Sequence, residues 1–286
     1  MGNYSIGVDI GASHVSCGLY NKKLQKLECK IYQLNHIDKA IDVSISTRKF
    51  IKIIINLIDK LIQENNIQIN DVSSIGLGCP GGIVRNEGIF LGSAILNVEK
   101  INWRKELYKY NLKVFVENDC TCAGICESYI NKWDNFIMFT LGSELGISYM
   151  QGYKCIDSIV WDIMKINEKI GTNNDKYIKS FSSLSKRYNS IKNGNYDRCE
   201  IFKCIEKGNI EAFDILKDYI ENFVNGIIKI EQVYKIKQFS IGGGMSEYSK
   251  YFIKDIKNKL PNIDINIAKY KNDSGIVGGA ILEDVQ

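Results

Sequence analysis

Glu117-Asn118-Asp119 is the stretch best placed to do chemistry. It follows the apolar run Val114-Phe-Val and precedes Cys-Thr-Cys-Ala123-Gly124. A short β-branched and aromatic run reads as a strand, and the small residues after it read as the opening of a helix. A carboxylate at the end of such a strand lies at the sheet's C-terminal edge, where α/β sheets take their ligands. Asp119 is therefore the leading chemical candidate. The plainer reading, that Asn118 or Asp119 only caps the helix, stands beside it on these residues alone.

Four further turns have the composition of ligand sites. Asp9-Ile-Gly11-Ala-Ser13 joins a strand from Tyr4 to a returning strand that ends at Tyr20. Thr140-Leu-Gly142-Ser143-Glu144 does the same between Asn135–Leu141 and Ile147–Met150. Small residues in such hairpins let backbone N–H groups approach an anion. The two devices lie about 130 residues apart, which suggests an internally duplicated fold. Gln238-Phe-Ser-Ile-Gly242-Gly243-Gly244-Met-Ser246 reads as a strand, a triple-glycine turn against which a flat group can lie, and a Ser N-cap for a helix through Leu260. Gly78-Cys-Pro-Gly81-Gly82 ends a further strand that begins at Val72, and can bring bare backbone to a ligand.

The elements that carry these turns follow from periodicity. Thr47–Asn65 places Phe50, Ile53, Ile54, Leu57, Ile58 and Leu61 on one helical face. Lys26–Tyr32 reads as a third strand, Ile83–Leu91 as a hairpin around Asn86-Glu-Gly88, Trp103–Tyr110 as a short helix and Ala123–Lys132 as the helix after Asp119. Gln151–Thr172 has no clear period. Asp175–Tyr188, Tyr196–Glu206 and Ile210–Val233 read as helices, the last with a broad stripe from Ile215 to Ile228. Ile263–Ile267 is a strand, and Asn272-Asp-Ser-Gly275 caps a final helix rich in small residues.

Bulk properties bound the function. The chain has 286 residues, 45% hydrophobic and 24% charged, with a net charge of +4. That is ordinary globular material with room for two lobes. No apolar run approaches the ~20 residues a bilayer requires. The N-terminus lacks the basic and apolar regions of a secretion signal, and no stretch before Tyr4 accommodates a helix-turn-helix. The lysines are spread singly, so neither nucleic acid nor a membrane is expected as a partner. Nine cysteines without a secretion signal fit reduced thiols in the cytoplasm. The spacing of Cys120, Cys122 and Cys126, or of Cys199 and Cys204, is not that of a zinc site, and His14 and His36 are remote in sequence.

The order Asp-x-Gly-x-Ser, Gly-x-Pro-Gly, Glu-Asn-Asp, Thr-x-Gly-Ser, Gly-Gly-Gly and a Ser-Gly helix resembles the ROK family (repressors, open reading frames and sugar kinases) from Tyr4 to Leu282. Phe115-Val-Glu-Asn-Asp119 and Ile241-Gly-Gly-Gly-Met-Ser246 are its strongest pieces. The resemblance implies a duplicated α/β fold of the actin/hexokinase/Hsp70-like (ribonuclease H-like) class, with two lobes around a nucleotide and sugar cleft. Residues 1–118, with helix 273–286 packing back, would form the small lobe, and 119–272 the larger one. It implies ATP-dependent phosphorylation of a sugar or glycoside hydroxyl, with Asp119 as the general base. An unperturbed carboxylate, with a pKa near ~3.9, is ionised at neutral pH and suits that role. Asn118, Gly81 and Asn97 would line the sugar site. Asp9 would face Mg²⁺ on the nucleotide. Gly11, Ser13, Gly142 and Ser143 would cradle phosphates, and Gly243 and Gly244 would lie near the adenosine. A cytoplasmic homodimer is the family's common form.

The departures are specific. The zinc motif that many members carry is absent, and Lys176–Tyr188 stands in its place, as in the β-glucoside kinase-like branch. Ala12 replaces a Gly of the first phosphate turn, adding a methyl that would be strained at positive φ. Glu144 replaces a Gly of the second turn and would repel a triphosphate unless it points away or meets Mg²⁺. The family's sugar-gripping Glu and His have no counterpart near Trp161-Asp162. Asp162 is a loose substitute, and Trp161 suits core packing better than sugar stacking. These departures leave a second reading, a weakly active or inactive member that senses a sugar or nucleotide.

Overall fold

The computed structural model describes residues 2–34, 39–169 and 176–286. In chain order its elements begin β1 Tyr4–Ile10, β2 His14–Asn21, β3 Lys26–Leu34, α1 Val43–Glu64, β4 Val72–Cys79, β5 Ile83–Val84, β6 Ile89–Phe90, β7 Ile101–Asn102, α2 Trp103–Glu106, β8 Lys113–Asn118 and α3 Asp119–Asn131. They continue β9 Asn135–Leu141, β10 Leu145–Gln151, β11 Lys154–Cys155, α4 Asp157–Asn167, α5 Ser182–Lys192, α6 Arg198–Glu206, α7 Ile210–Tyr234, β12 Gln238–Gly242, α8 Ile253–Lys259, β13 Asp264–Ile267, α9 Ser274–Ala280 and α10 Leu282–Val285. The chain divides into two compact units, Met1–Tyr129 with Asp273–Gln286, and Ile130–Asn272.

Each unit is built on a five-stranded sheet, and the two sheets share one topology. The orders are β3-β2-β1-β4-β8 and β11-β10-β9-β12-β13. In each, the first strand pairs antiparallel with the second and parallel with the fourth, and the fourth pairs parallel with the fifth. The repeated hairpins expected around Gly11 and Gly142 are thus the first β–β turns of two equivalent sheets.

In the first unit the two faces of β1 alternate strictly, as strand geometry requires. Ile6, Val8 and Ile10 join the core that includes Phe50, Ile54, Leu57, Ile58 and Leu61 of α1. The opposite face carries Gly7 and Asp9, and α9 packs there with backbone against backbone. A Cβ on Gly7 would fall 1.9 Å from the Ile276 carbonyl oxygen, one on Gly76 1.9 Å from that of Gly279, and one on Gly278 1.8 Å from that of Cys122. This close docking is why α9 is rich in small residues. Gly76→Ala forces sheet and helix apart, and a loss of about 2–3 kcal/mol is expected, read from urea unfolding.

In the second unit α7 supplies the broad stripe expected of it. Ile215, Leu216, Tyr219, Ile220, Phe223, Val224, Ile227 and Ile230 are buried, and Phe223 meets Phe139 of β9 edge-on at 5.8 Å between centroids.

Several boundaries differ from the sequence reading. The division between units falls after most of α3 rather than before Asp119, because Cys122 is packed against Gly78 and Gly278 of the first unit. Helix α1 begins a turn early, since Asp42 Oδ1 caps it by accepting the N–H groups of Ser44 and Ile45. The aperiodic stretch after Gln151 contains α4. Its start at Ile156 has no side-chain cap, and only Ile163 and Asn167 are buried, so both sequence signals are weak. The helix expected from Asp175 begins at Ser182. Ile178 lies in a bend outside any helix, its N–H donating to Asn167 Oδ1 and its carbonyl accepting from Asn167 Nδ2. Asp175, Thr172 and His36 lie outside the described residues. Ser246 caps nothing: its hydroxyl donates to the Gly243 carbonyl, a 3-10 segment runs Gly244–Tyr251, and α8 starts only at Ile253. Asp273 occupies the cap position of α9 without a side-chain cap bond, and its carboxylate instead pairs with Lys30 at 2.5 Å. Trp161 is 64% exposed, so it is not a core residue. Among the described residues no helix is long and apolar enough to cross a membrane.

Candidate functional site

The register of β1, β4 and β8 aligns the candidate residues of the first unit. Asp9 lies opposite Gly78, Gly78 opposite Glu117, and Cys79 opposite Asn118. The three parallel strands therefore end together, and the shared C-terminal edge carries Asp9, Asn118 and Asp119. Gly11 and Ser13 follow in the turn after β1, and Gly81 in the turn after β4.

Asp119 is the first residue of α3, and Asn118 is the residue that caps it. Asn118 Oδ1 accepts the N–H groups of Cys120 at 3.1 Å and Thr121 at 3.2 Å. The capping reading thus holds for Asn118, and it leaves Asp119 as the carboxylate that opens the helix at the strand edge. The cap occupies the Asn118 oxygen. Its Nδ2 faces the Cys79 carbonyl at 3.5 Å.

Glu117 turns the other way and is 3% exposed. Arg85 grips it through a two-pronged ion pair, Nε to Oε2 at 2.5 Å and Nη2 to Oε1 at 2.8 Å. The Asn118 N–H also donates to Glu117 Oε1 at 2.7 Å, and Gln286 Nε2 to Oε2 at 3.3 Å. The clamp fixes the backbone immediately before Asp119. Sequence reading missed Arg85 and Gln286. A carboxylate next to a strand end calls for a cation, but no spacing rule picks one from 37 lysines and arginines.

The electrostatics correct the expected carboxylate. Burial raises Asp119 to about 6, although the backbone N–H groups of Cys120 and Asp119 and the Asn118 side chain pull it down. Asp9 is pushed further, to about 8, by burial and then by the negative charges of Asp119 and Asp273. Asp9 is also covered by α9: a Cβ on Gly275 would lie 2.7 Å from its carboxyl carbon. The pair titrates in two steps, Asp119 ionising first. At neutral pH the edge carries one ionised carboxylate able to accept a proton and a second that holds its own.

The remaining candidates of this unit have definite anchors. In the first turn the Gly11 N–H donates to the His14 carbonyl at 2.9 Å, and Ser13 Oγ lies 3.3 Å from His14 Nδ1. Ala12 is not among the residues with positive φ, so its methyl is accommodated without strain. Gly81 adopts φ +140, a conformation closed to L side chains. Asn97 is held in a left-handed turn, φ +52, and its Nδ2 donates to the Ile41 carbonyl at 3.2 Å.

In the second unit β9 and β12 run parallel with Thr140 opposite Gly242, so their two glycine turns emerge side by side. Gly243, at φ +73, packs on the Leu141 backbone, where a Cβ would come within 2.8 Å of the Leu141 nitrogen. Gly142, Ser143, Gly243 and Gly244 are thereby brought together. Helix α5 ties the first turn down: the Ser182 N–H donates to the Gly142 carbonyl at 3.2 Å and its hydroxyl to the Ser143 carbonyl at 2.8 Å. Glu144 is exposed at the tip. Asp162 stands on α4, exposed, accepting from Lys165 and from the Tyr234 hydroxyl.

All nine cysteines are free thiols. Those beside Asp119 are buried, and burial raises Cys79, Cys122 and Cys126 well above the usual thiol range, so they are packing groups.

The model of the ROK family matches residues 5–157 and 176–285. The N-acetyl-D-glucosamine kinase of Haemophilus influenzae is 20% identical over 96% of this chain and 98% of its own. The xylose repressor of Caldicellulosiruptor bescii is 18% identical over 80% of this chain and 67% of its own. A ROK family glucokinase from Streptomyces griseus, solved with glucose and AMPPNP, superposes with a TM-score of 0.74 at 16% identity, over 98% of both chains. That likeness establishes the actin/hexokinase-like fold.

Proposed function

Because the chain belongs to the ROK family, we propose that it transfers the terminal phosphate of ATP to a hydroxyl of a sugar or glycoside. The observation that carries this reading is Asp119, a carboxylate fixed at a strand end with its pKa raised to about 6. A base poised near the working pH is both ionised and basic enough to accept a proton. In the proposed step the sugar hydroxyl gives its proton to Asp119 as its oxygen attacks the terminal phosphorus. The bond from that phosphorus to the bridging oxygen breaks, and ADP leaves with the electron pair. The backbone around Gly81 and the Asn118 amide would position the sugar. Gly11, Ser13, Gly142 and Ser143 would hold phosphates, and Gly243 and Gly244 would receive the adenosine.

The raised pKa of Asp9 marks a partly buried oxygen ligand beside two other acids, a setting that a hard cation relieves. Among the described residues no three metal-ligating side chains converge into a cage. A magnesium ion at Asp9 would therefore take most of its ligands from the nucleotide and water. Bound there, it would supply neutralisation of phosphate charge.

Glu144 favours a second reading, a family member that binds sugar or nucleotide as a sensor, and a repressor is among the relatives. ADP release from Mg-ATP, measured against hexoses, amino sugars and β-glucosides, separates the two. A sugar-dependent rate supports the kinase and names its substrate class. A sugar that raises thermal stability without releasing ADP supports the sensor.

A further inference from the structure

The Gly142–Glu144 turn has a cation against it that no sequence motif announces. Arg198 is the first residue of α6 and is placed by a capping box: Asp197 Oδ1 accepts the N–H groups of Cys199 and Glu200, and Glu200 Oε2 accepts that of Asp197. Its Nη1 donates to Ser143 Oγ at 3.2 Å. Its guanidinium carbon lies 5.5 Å from the centroid of the Phe181 ring. Phe181 is buried and borders the other glycine turn, 3.6 Å from where a Gly244 Cβ would stand. Aromatic ring, helix cap and serine hydroxyl thus aim one guanidinium at the place where both glycine turns emerge.

Among the described residues no ion pair neutralises the charge on Arg198, in contrast to that of Arg85 or Arg187. Arg85 is paired with Glu117, Arg187 with Asp218, and Arg104 donates to the Asn86 and Val114 carbonyls. Among the described residues Arg198 has no carboxylate partner, and its hydrogen-bond acceptor is a neutral hydroxyl. A guanidinium presents five N–H donors in a planar fork that matches phosphate oxygens. One of those donors is engaged here, and the side chain remains half-exposed. Glu144 sits one residue beyond Ser143, so the turn needs an opposing positive charge before it can hold a polyanion.

The geometry points to Arg198 as a phosphate contact: its fork takes non-bridging oxygens of the terminal phosphates of a nucleoside triphosphate bound at the Gly142–Glu144 turn, with Ser143 Oγ orienting it. This rests on the nucleotide reading above and adds the residue that offsets Glu144. Removing a charge-assisted bond of this type weakens binding by about 10- to 100-fold.

The test titrates wild type, Arg198→Ala, Arg198→Lys and, as a control, the ion-paired Arg187→Ala with Mg-ATP and with adenosine, by calorimetry. Arg198→Ala is expected to lose about 10- to 100-fold in Mg-ATP affinity and to keep its adenosine affinity. Arg198→Lys restores the charge without the fork and recovers part of the loss, and Arg187→Ala matches wild type. Unchanged Mg-ATP affinity in Arg198→Ala overturns the assignment. So does an equal loss of adenosine, which would mark Arg198 as a prop for the turn. Wild type that binds neither compound would remove the nucleotide reading itself, whereas tight binding by wild type and Arg198→Ala alike would remove only the role of Arg198.

Discussion

Asp119→Asn is expected to lower sugar-dependent ADP release by about 10²- to 10⁴-fold, the contribution of a positioned general base. Asn keeps the size of the side chain and one acceptor oxygen for the N–H of Cys120, so sugar binding, read by thermal shift, should persist. The pH profile gives an independent check. Asp119 must be ionised to accept a proton and its pKa is raised to about 6. The wild-type rate should therefore fall about tenfold per pH unit below that point. This ascending limb should be missing from the residual rate of the variant. Stability runs the opposite way. A carboxylate whose folded pKa lies above its unfolded value contributes most at low pH and loses that contribution as pH rises through the folded value. For Asp119 the window runs from about 4 to 6, and for Asp9 from about 4 to 8. Asp119→Asn should accordingly melt no lower than wild type at pH 8.

Arg85→Ala should be the more damaging change to the fold. Glu117 is 3% exposed, and the substitution leaves its charge without the cation that grips both oxygens. Breaking a buried pair from one side costs about 3–5 kcal/mol. The Asn118 N–H and Gln286 remain as donors, and the Arg85 side chain is 40% exposed, so about 2–4 kcal/mol is expected here. That corresponds to a fall of about 10 °C in the melting temperature. Adding Glu117→Gln removes the stranded charge, so the double variant should recover part of the loss. Additive losses would show that Arg85 acts through packing alone. Because Glu117 precedes Asn118 and Asp119 directly, the single variant should also lose activity beyond its loss of folded protein.

These two residues show how far the chain could be read unaided. The strand, acidic turn and helix around Asp119 were legible because each is a local pattern: a β-branched run, a cap and small residues. The glycine turns were legible for the same reason, and their repetition pointed to the duplicated sheets that β1–β4–β8 and β9–β12–β13 display. Pairings between distant segments were not legible. Arg85 with Glu117, Arg198 with Ser143, and Asn167 with Ile178 each join positions that no periodicity relates. The last of these hides the true start of α5. The small residues of α9 could be read as small, but not as backbone seated on Gly7 and Gly76. The raised pKa of Asp119 was equally out of reach, since it comes from burial that only the assembled strand edge creates. Trp161 erred the other way, because its apolar size suggested core where α4 leaves it exposed.

Phosphorus NMR of the wild-type chain with Mg-ATP and the best sugar of the panel, beside Asp119→Asn, tests the central claim most directly. The terminal phosphate signal of ATP is expected to disappear one for one with the growth of a sugar phosphoester signal, and the variant is expected to be nearly silent. Inorganic phosphate in place of a phosphoester, or a phosphoester formed by Asp119→Asn at the wild-type rate, would contradict it.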